Sequence, residues 1–408
     1  MKTLRRIDLK EASPGVDVAL TNGEAAEVAR LQIATVAPIG DGEWRVSAVR
    51  KVGVMRVGSV ELRIEPKVPL DRLFFVLSRT LGWDAWLDED AQLSSVDDLY
   101  PAIAALFARS AERVLDRGII RDYRETRASE PQIRGRWLIS EQIRTRQGLP
   151  LPAEIVFDDF TVDVDENRML RSASQRLLRL AGTSAELRRR LRRVESALSG
   201  ASSLVRGTPV PTPAFTRRNA HYRDAVGLAK LILEGASLDH GVATVSAAGF
   251  LLNVATLFEQ FIAVELTRAA GAAGGTIQAQ RSDHLDHGAQ VVIRPDLVWL
   301  DDGVVAAVFD AKYKADRNGR HPNADIYQML AYCVRHGLRA GHLVYAAGNE
   351  EPARYIVEQA GVTIICHAVD LDQTPRDIQQ QLDAIAANAL ALDDSRDGGR
   401  MDSKRRPV

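Results

Sequence analysis

Cysteine is nearly absent from this 408-residue chain, in which Cys333 and Cys366 are the only two. Two thiols are too few for a disulfide scaffold, and neither lies in a CxxC or Cys/His cluster of zinc-binding spacing, so a reducing cytoplasmic compartment is expected. Long hydrophobic runs are missing too. No stretch of about 18 uncharged apolar residues occurs, and the start, MKTLRRIDLKEASPG, is charged and has no apolar signal-peptide core. No membrane or export role is expected. Charge of one sign is also lacking, since 53 Lys and Arg against 54 Asp and Glu leave a net charge of −1. Affinity for nucleic acid must therefore come from local patches. There is no GxxxxGK[ST] phosphate loop and no recognisable Ser, His or Cys nucleophile motif, which excludes nucleotide hydrolysis by the chain alone.

What remains is ordinary globular material, 46% hydrophobic and 26% charged, long enough for about two or three domains. Residues 15–70 alternate in short apolar pieces broken at Asn22-Gly23, Gly40-Asp41-Gly42 and Val57-Gly58-Ser59, which predicts a small, mainly antiparallel β unit. From Leu70 to Gly118 apolar residues recur at three and four, the signature of amphipathic helices. Residues 122–166 read as an extended or hairpin arm, and 166–200 as two helices. The second helix carries Arg188, Arg189, Arg190, Arg192 and Arg193 over most of its circumference, which fits a solvated, ion-paired face before it fits a DNA surface. Gly207–Phe215 is a Pro-rich joint. After it come helices at Tyr222–Glu234 and Ala248–Ala270, then two strands, a helix, two strands and a final helix ending near Leu392. That order is α/β, a mixed sheet between helices. The expected division is a β-rich unit 1–92, a helical and hairpin region 93–214, an α/β domain 215–393 and a disordered tail 394–408 of almost no apolar content.

The stretch IRPDLVWLDDGVVAAVFDAKYK, from Ile293 to Lys314, raises a specific question. Two apolar strands flank Asp301-Asp302-Gly303, a hairpin signal, so Asp296 and Asp310 are expected to meet across the pair. Asp310 and Lys312 are two apart, so the pleat sends both to one face together with Val308. Two clustered carboxylates call for positive charge beyond one ammonium. A hard divalent cation such as Mg²⁺, bound by one or two carboxylates, a backbone carbonyl, water and phosphate, supplies it, and a lysine beside it can orient a nucleophile or stabilise developing charge. Asp, about a dozen residues, then Asp-x-Lys thus points to phosphodiester hydrolysis. An isolated Asp-x-Lys is also what a surface ion pair on an edge strand looks like, and context argues against that here. Gln328 and Tyr332 share a face of the following helix at i and i+4. Glu259, on an otherwise apolar preceding helix, is either a further metal ligand or a solvent-facing acid. Lys314 shares the face of Lys312 and is an alternative base; His284 and His287 sit in a loop-like setting and are read as exposed.

These residues resemble the PD-(D/E)xK nuclease superfamily and, within it, the McrC family of restriction subunits. The resemblance rests on FLLNVATLFEQFIAVEL, IRPDLVWL, VFDAKYK and DIYQMLAYC, and outside them on RKVGVMRVGSVELRIEPKV, RGIIRDYRE with IRGRW, FDDFTVDVDENRMLRSA and HYRDAVGLAKLILEG. It implies a nuclease subunit that works with a McrB-type AAA+ GTPase hexamer on double-stranded, modified DNA, with the N-terminal part binding the ring and stimulating GTP hydrolysis. Asp296, Asp310 and Lys312 match the family's catalytic acid, acid and lysine, and Glu259, Gln328 and Tyr332 its accessory helix positions. Arg121, Arg124, Arg134 and Arg136 are candidates to reach a partner's nucleotide site, where developing phosphate charge needs a cation. The alternatives are a stand-alone repair or defence nuclease with the same site, and a non-catalytic GTPase-activating adaptor.

Overall fold

The computed structural model describes residues 5–11, 14–32, 34–48, 51–82, 99–147, 149–179, 184–205, 207–235, 247–313, 321–346 and 352–394. Lys314 and the expected tail beyond Asp394 lie outside them. The N-terminal unit contains β1 (Arg5–Lys10), β2 (Val16–Ala19), α1 (Asn22–Arg30), β3 (Ala34–Gly40), β4 (Glu43–Ala48), β5 (Lys51–Val57) and β6 (Val60–Glu65). It is β-rich, as its alternation predicts, with an antiparallel β2-β4-β3 sheet and a second sheet in which β1 runs parallel to β6. Asn22-Gly23 is not a turn but the start of α1. The Thr21 hydroxyl accepts from Glu24 N at 3.2 Å, while the Glu24 carboxylate accepts from Thr21 N at 3.1 Å, a reciprocal cap that fixes a helix start.

The helical region follows with α2 (Leu70–Leu81) and α3 (Leu99–Arg117). The arm is a three-stranded sheet of β7 (Asp122–Glu130), β8 (Arg136–Trp137) and β9 (Ala153–Thr161), with the short α4 (Ile139–Arg146) between β8 and β9. Helices α5 (Asp165–Arg179), α6 (Ala185–Ala197) and α7 (Arg223–Gly235) complete it. The Pro-rich joint packs Val210 and Phe215 against this helical core. In α6, Leu187, Leu191 and Val194 are buried, so the basic residues cover less of the circumference than expected, and Arg190 is chelated by Glu112.

One expected helix is partly a strand. Residues Ala247–Asn253 form β10, antiparallel to β5 of the N-terminal sheet, and α8 begins only at Val254 and runs to Ala272. A continuous apolar run reads as either element. Two local features decide it. Asn253 Oδ1 accepts from Ala255 N at 3.1 Å and Thr256 N at 3.3 Å, capping the helix there. Opposite, Gly53 has φ +130° and a Cβ at that position would stand 2.3 Å from the Phe250 carbonyl oxygen, so only glycine lets β10 approach.

The C-terminal sheet has the order β11-β14-β15-β16-β18-β17, from β11 (Thr276–Ala279), β14 (Leu297–Asp301), β15 (Val304–Lys312), β16 (Ala340–Ala346), β17 (Ala353–Val357) and β18 (Val362–Val369). Between β11 and β14 lies a small ribbon of β12 (Asp283–His284) and β13 (Val292–Ile293). β15, β16 and β18 are parallel and the other pairs antiparallel, giving the mixed sheet that the element order predicts. Helix α9 (Asn323–His336) covers one face, burying Met329 and Tyr332 with Val308 and Leu343. Helices α8 and α10 (Pro375–Asp394) cover the other, with Leu297, Phe309 and Ala311. That second layer is continuous with the core around α2, α3, α5 and α7, a single apolar cluster from Val52 to Ala389. Among the described residues no helix is long and apolar enough to cross a membrane.

Candidate active site

The turn joining β14 and β15 has Asp302 at φ +45° and Gly303 at φ +80°, the two left-handed positions of a type I′ hairpin. The register pairs Leu297 with Phe309, so Asp296, one residue before β14 rather than within it, arrives beside Asp310 at the end of the ladder. Its carboxylate is pinned on both sides: Oδ2 accepts from Ala311 N at 3.0 Å and Oδ1 from Gln280 Nε2 at 2.8 Å. Gln280 N also donates to the Asp296 carbonyl at 2.8 Å. The acid is thus oriented by β15 and by the loop after β11.

The pleat does the rest. Val308, Asp310 and Lys312 turn toward α9, while Phe309 and Ala311 turn to the opposite core. Asp310 is 2% exposed. Lys312 Nζ forms an ion pair with Asp310 Oδ2, and among the described residues no other group donates to this buried oxygen. Lys312 Nζ donates to Gln328 Oε1 at 3.4 Å, Gln328 Nε2 donates to the Tyr332 hydroxyl at 2.6 Å, and that hydroxyl donates to the Arg294 carbonyl at 3.2 Å. The predicted helical pair therefore forms a relay that holds the lysine.

Burial pushes the Asp310 carboxyl up to about 7, the Asp296 charge adds to the rise, and Lys312 opposes it. For Lys312 burial favours the neutral amine, yet Asp310, Asp296 and Asp325 outweigh it and hold the ammonium above its ordinary pKa. Burial likewise raises Tyr332, helped by the Asp310 charge. Asp310 is thus a carboxylate short of positive charge. Asp296 and Asp310 could hold a hard divalent cation, with Asp310 Oδ2, which lies against the Lys312 ammonium, as one donor. No group of three or more His, Cys, Asp or Glu side chains placed to hold a metal occurs among the described residues. Two carboxylates are what Mg²⁺ commonly takes from a protein, water and phosphate oxygens supplying the remainder.

The other candidates fall elsewhere. Glu259 lies half-buried on α8, the helix that covers the opposite face of the sheet, although Phe258 beside it packs on Tyr313, with ring centroids 5.8 Å apart. Lys314 is outside the described residues. His284 is half-buried on β12 and His287 exposed in the ribbon loop. Of the arm arginines, Arg124 is bound to Asp163. Arg134 is chelated by Glu130 at 2.7 and 3.0 Å, with its guanidinium 3.8 Å from the Phe157 ring centre. Arg121 and Arg136 are exposed. Three contributors escaped the sequence reading: Gln280, the Arg294 carbonyl and Asp325. Asp325 is 4% exposed on the first turn of α9 and accepts from the Tyr345 hydroxyl at 3.1 Å. It stands three residues before Gln328, a helical spacing that was open to inspection.

A family model described as a McrBC 5-methylcytosine restriction system component matches residues 46–346, a span that contains every candidate site residue. A chain of the half-complex from a tetradecameric assembly of Thermococcus gammatolerans McrB AAA+ hexamers with bound McrC has the same fold. The TM-score is 0.59 at 20% identity, over 94% of this chain and 99% of that one. A chain of the Thermococcus gammatolerans McrBC complex aligns with a TM-score of 0.40 at 23% identity, over 65% of this chain and 88% of that one. No curated protein matches.

Proposed function

The chain belongs to the family of McrBC 5-methylcytosine restriction system components, and on that premise we propose that it is a McrC-type, Mg²⁺-dependent endonuclease subunit of a cytoplasmic restriction complex. Its substrate is double-stranded DNA carrying modified cytosine, and its partner a McrB-type AAA+ GTPase hexamer whose GTP hydrolysis it stimulates. The observation that carries this reading is the convergence of Asp296, Asp310 and Lys312 at the end of one hairpin, with the buried Asp310 Oδ2 against the Lys312 ammonium and Asp296 held by Ala311 N. In this reading residues 215–393 are the PD-(D/E)xK domain, and residues 1–92 and 93–214 face the ring.

Hydrolysis of a phosphodiester adds water at phosphorus and expels the sugar oxygen, with negative charge building on the phosphoryl oxygens. The cation, when held by Asp296 and Asp310, supplies positive charge at the phosphate and eases loss of a proton from water. The remaining work falls to the chain. Lys312, kept charged by three carboxylates, donates hydrogen bonds to the oxygens on which charge develops. Gln328 and Tyr332 fix its direction, and Gln280 fixes that of Asp296. Glu259 is a candidate further ligand, which would have to reach from the helix on the opposite face.

The test is cleavage of methylated DNA by the complex assembled with its GTPase, GTP and Mg²⁺. Asp310→Ala and Lys312→Ala are expected to abolish cutting while still stimulating GTP hydrolysis. Cutting at the unaltered rate by either variant removes the assignment, and cutting by the purified chain without nucleotide selects a stand-alone nuclease instead.

A further inference from the structure

The strand that carries Asp310 and Lys312 does not run out into solvent. The next residue, Tyr313, is 4% exposed, and its hydroxyl donates to Glu11 Oε2 at 3.0 Å across 302 positions of the chain. Glu11, just after β1, is 7% exposed, and the same oxygen accepts from Lys67 N at 3.2 Å. The Lys67 ammonium lies 4.5 Å from the centre of the Tyr313 ring. Burial raises the Glu11 carboxyl above its ordinary range, against the hydrogen bonds from Lys67 and Tyr313. The proposed hydrolysis has no use for this carboxylate, and burying one is costly unless its bonds matter.

We propose that Glu11, Lys67 and Tyr313 form a clasp through which the N-terminal sheet positions Lys312, making Tyr313 a positioning residue that acts through its neighbour. The proposal rests on the nuclease reading of Asp296, Asp310 and Lys312. Beyond the parallel ladder that pairs Asp310, Ala311 and Lys312 with Leu343, Val344 and Tyr345 of β16, residues 310–313 are held from three further directions. Ala311 N is bonded to Asp296, Lys312 to Asp310 and Gln328, and Tyr313 to Glu11. The last is the hold that comes from N-terminal residues. At 3.4 Å, the Lys312 to Gln328 contact is already long, so a shift of about 1 Å at the end of the strand would break it. A shift of Glu11 or Lys67 is thereby passed to Tyr313 and, through it, to the adjacent lysine.

The experiment uses the full chain assembled with the partner GTPase, methylated DNA, GTP and Mg²⁺. Tyr313→Phe and Glu11→Ala are each expected to lower kcat for cleavage by roughly tenfold or more, with KM for DNA and GTPase stimulation unchanged. The double variant is expected to be no slower than either single one. Glu11→Gln, which keeps an acceptor oxygen for the phenol, is expected to stay within about twofold of the unaltered protein. Unaltered kcat in Tyr313→Phe, or losses that multiply in the double variant, overturns the clasp. Should Tyr313→Phe not fold, the Glu11 pair decides: a fall for Ala with retention for Gln supports it, and equal kcat in both overturns it. Asp310→Ala run beside them separates the two levels. If Asp310→Ala cuts, the nuclease reading itself is gone; if it is dead while Tyr313→Phe is unaffected, only the clasp is.

Discussion

A carboxylate 2% exposed beside a second carboxylate resists ionisation, and Asp310 is pushed up to about 7. An unfolded aspartate titrates near about 3.9. Between those values the folded chain holds a proton that the unfolded chain has lost, so the contribution of Asp310 to stability falls as pH rises through that window and is smallest above it. In metal-free buffer Asp310→Asn is therefore expected to gain thermal stability relative to the unaltered protein as pH goes from about 5 to 8, a difference that melting curves read directly. A parallel shift of both proteins with pH would show that Asp310 is not the titrating group. Gln328→Ala removes one bond to a charged amine and is expected to slow cleavage about tenfold, far less than Lys312→Ala. At this scale much of the site was legible. The pleat alone puts Asp310 and Lys312 on one face, and helical spacing pairs Gln328 with Tyr332. Gln280 was not, because tertiary packing brings it in from a loop whose local pattern carries no chemistry, whereas Asp325 shares a helix and a three-residue spacing with Gln328.

Elements are decided by caps and turns as much as by periodicity. Replacing Thr21 by alanine is expected to cost about 1 kcal/mol through the lost cap of α1, a loss that a denaturant midpoint would show. Asn22-Gly23 read as a turn because those residues favour turns, whereas Thr21 and Glu24 three apart form a capping box and overrule them. Residues Ala248–Asn253 differ from the expected helix for another reason: their apolar run fits helix or strand, and the Asn253 cap together with pairing to β5 decides for the strand. Asp163 shows how one side chain ties elements together, since it accepts from Arg124, Arg168, and both Ser202 N and its hydroxyl. Burial opposes its charge, but Arg168 and Ser202 outweigh burial and hold the carboxyl well below its ordinary range. Its contribution to stability is complete above about pH 4 and is lost as pH falls further. Asp163→Asn is expected to destabilise at pH 7 by about 2 kcal/mol and to flatten the acid limb of the pH–stability curve. An unchanged acid limb would contradict this.

At the level of the whole molecule, the sequence boundaries and the contacts differ in kind. Composition places a joint at Gly207–Phe215, yet β10, beyond that joint, completes the N-terminal sheet. Arg79 on α2 bonds Glu265 on α8 at 2.5 Å. One apolar cluster runs through both halves. The α/β class and the mixed sheet were readable from element order, since each strand and helix carries its own pattern; contacts hundreds of positions apart, such as Tyr313 with Glu11, have no local signature. The two halves are thus expected to unfold together, in one transition seen alike by far-UV dichroism and by intrinsic tryptophan fluorescence, to which the buried Trp299 contributes. Two separated transitions would mean that the shared core is weaker than its burial implies.

The central claim is that two aspartates at the end of one hairpin hold a divalent cation beside a lysine. Calorimetric titration of the purified chain with Mg²⁺ or Mn²⁺ tests it most directly. One site per chain is expected in the unaltered protein, lost in Asp310→Ala and in Asp296→Ala and retained in Lys312→Ala. Equal binding in the unaltered protein and both aspartate variants, or none in any of them, would contradict it.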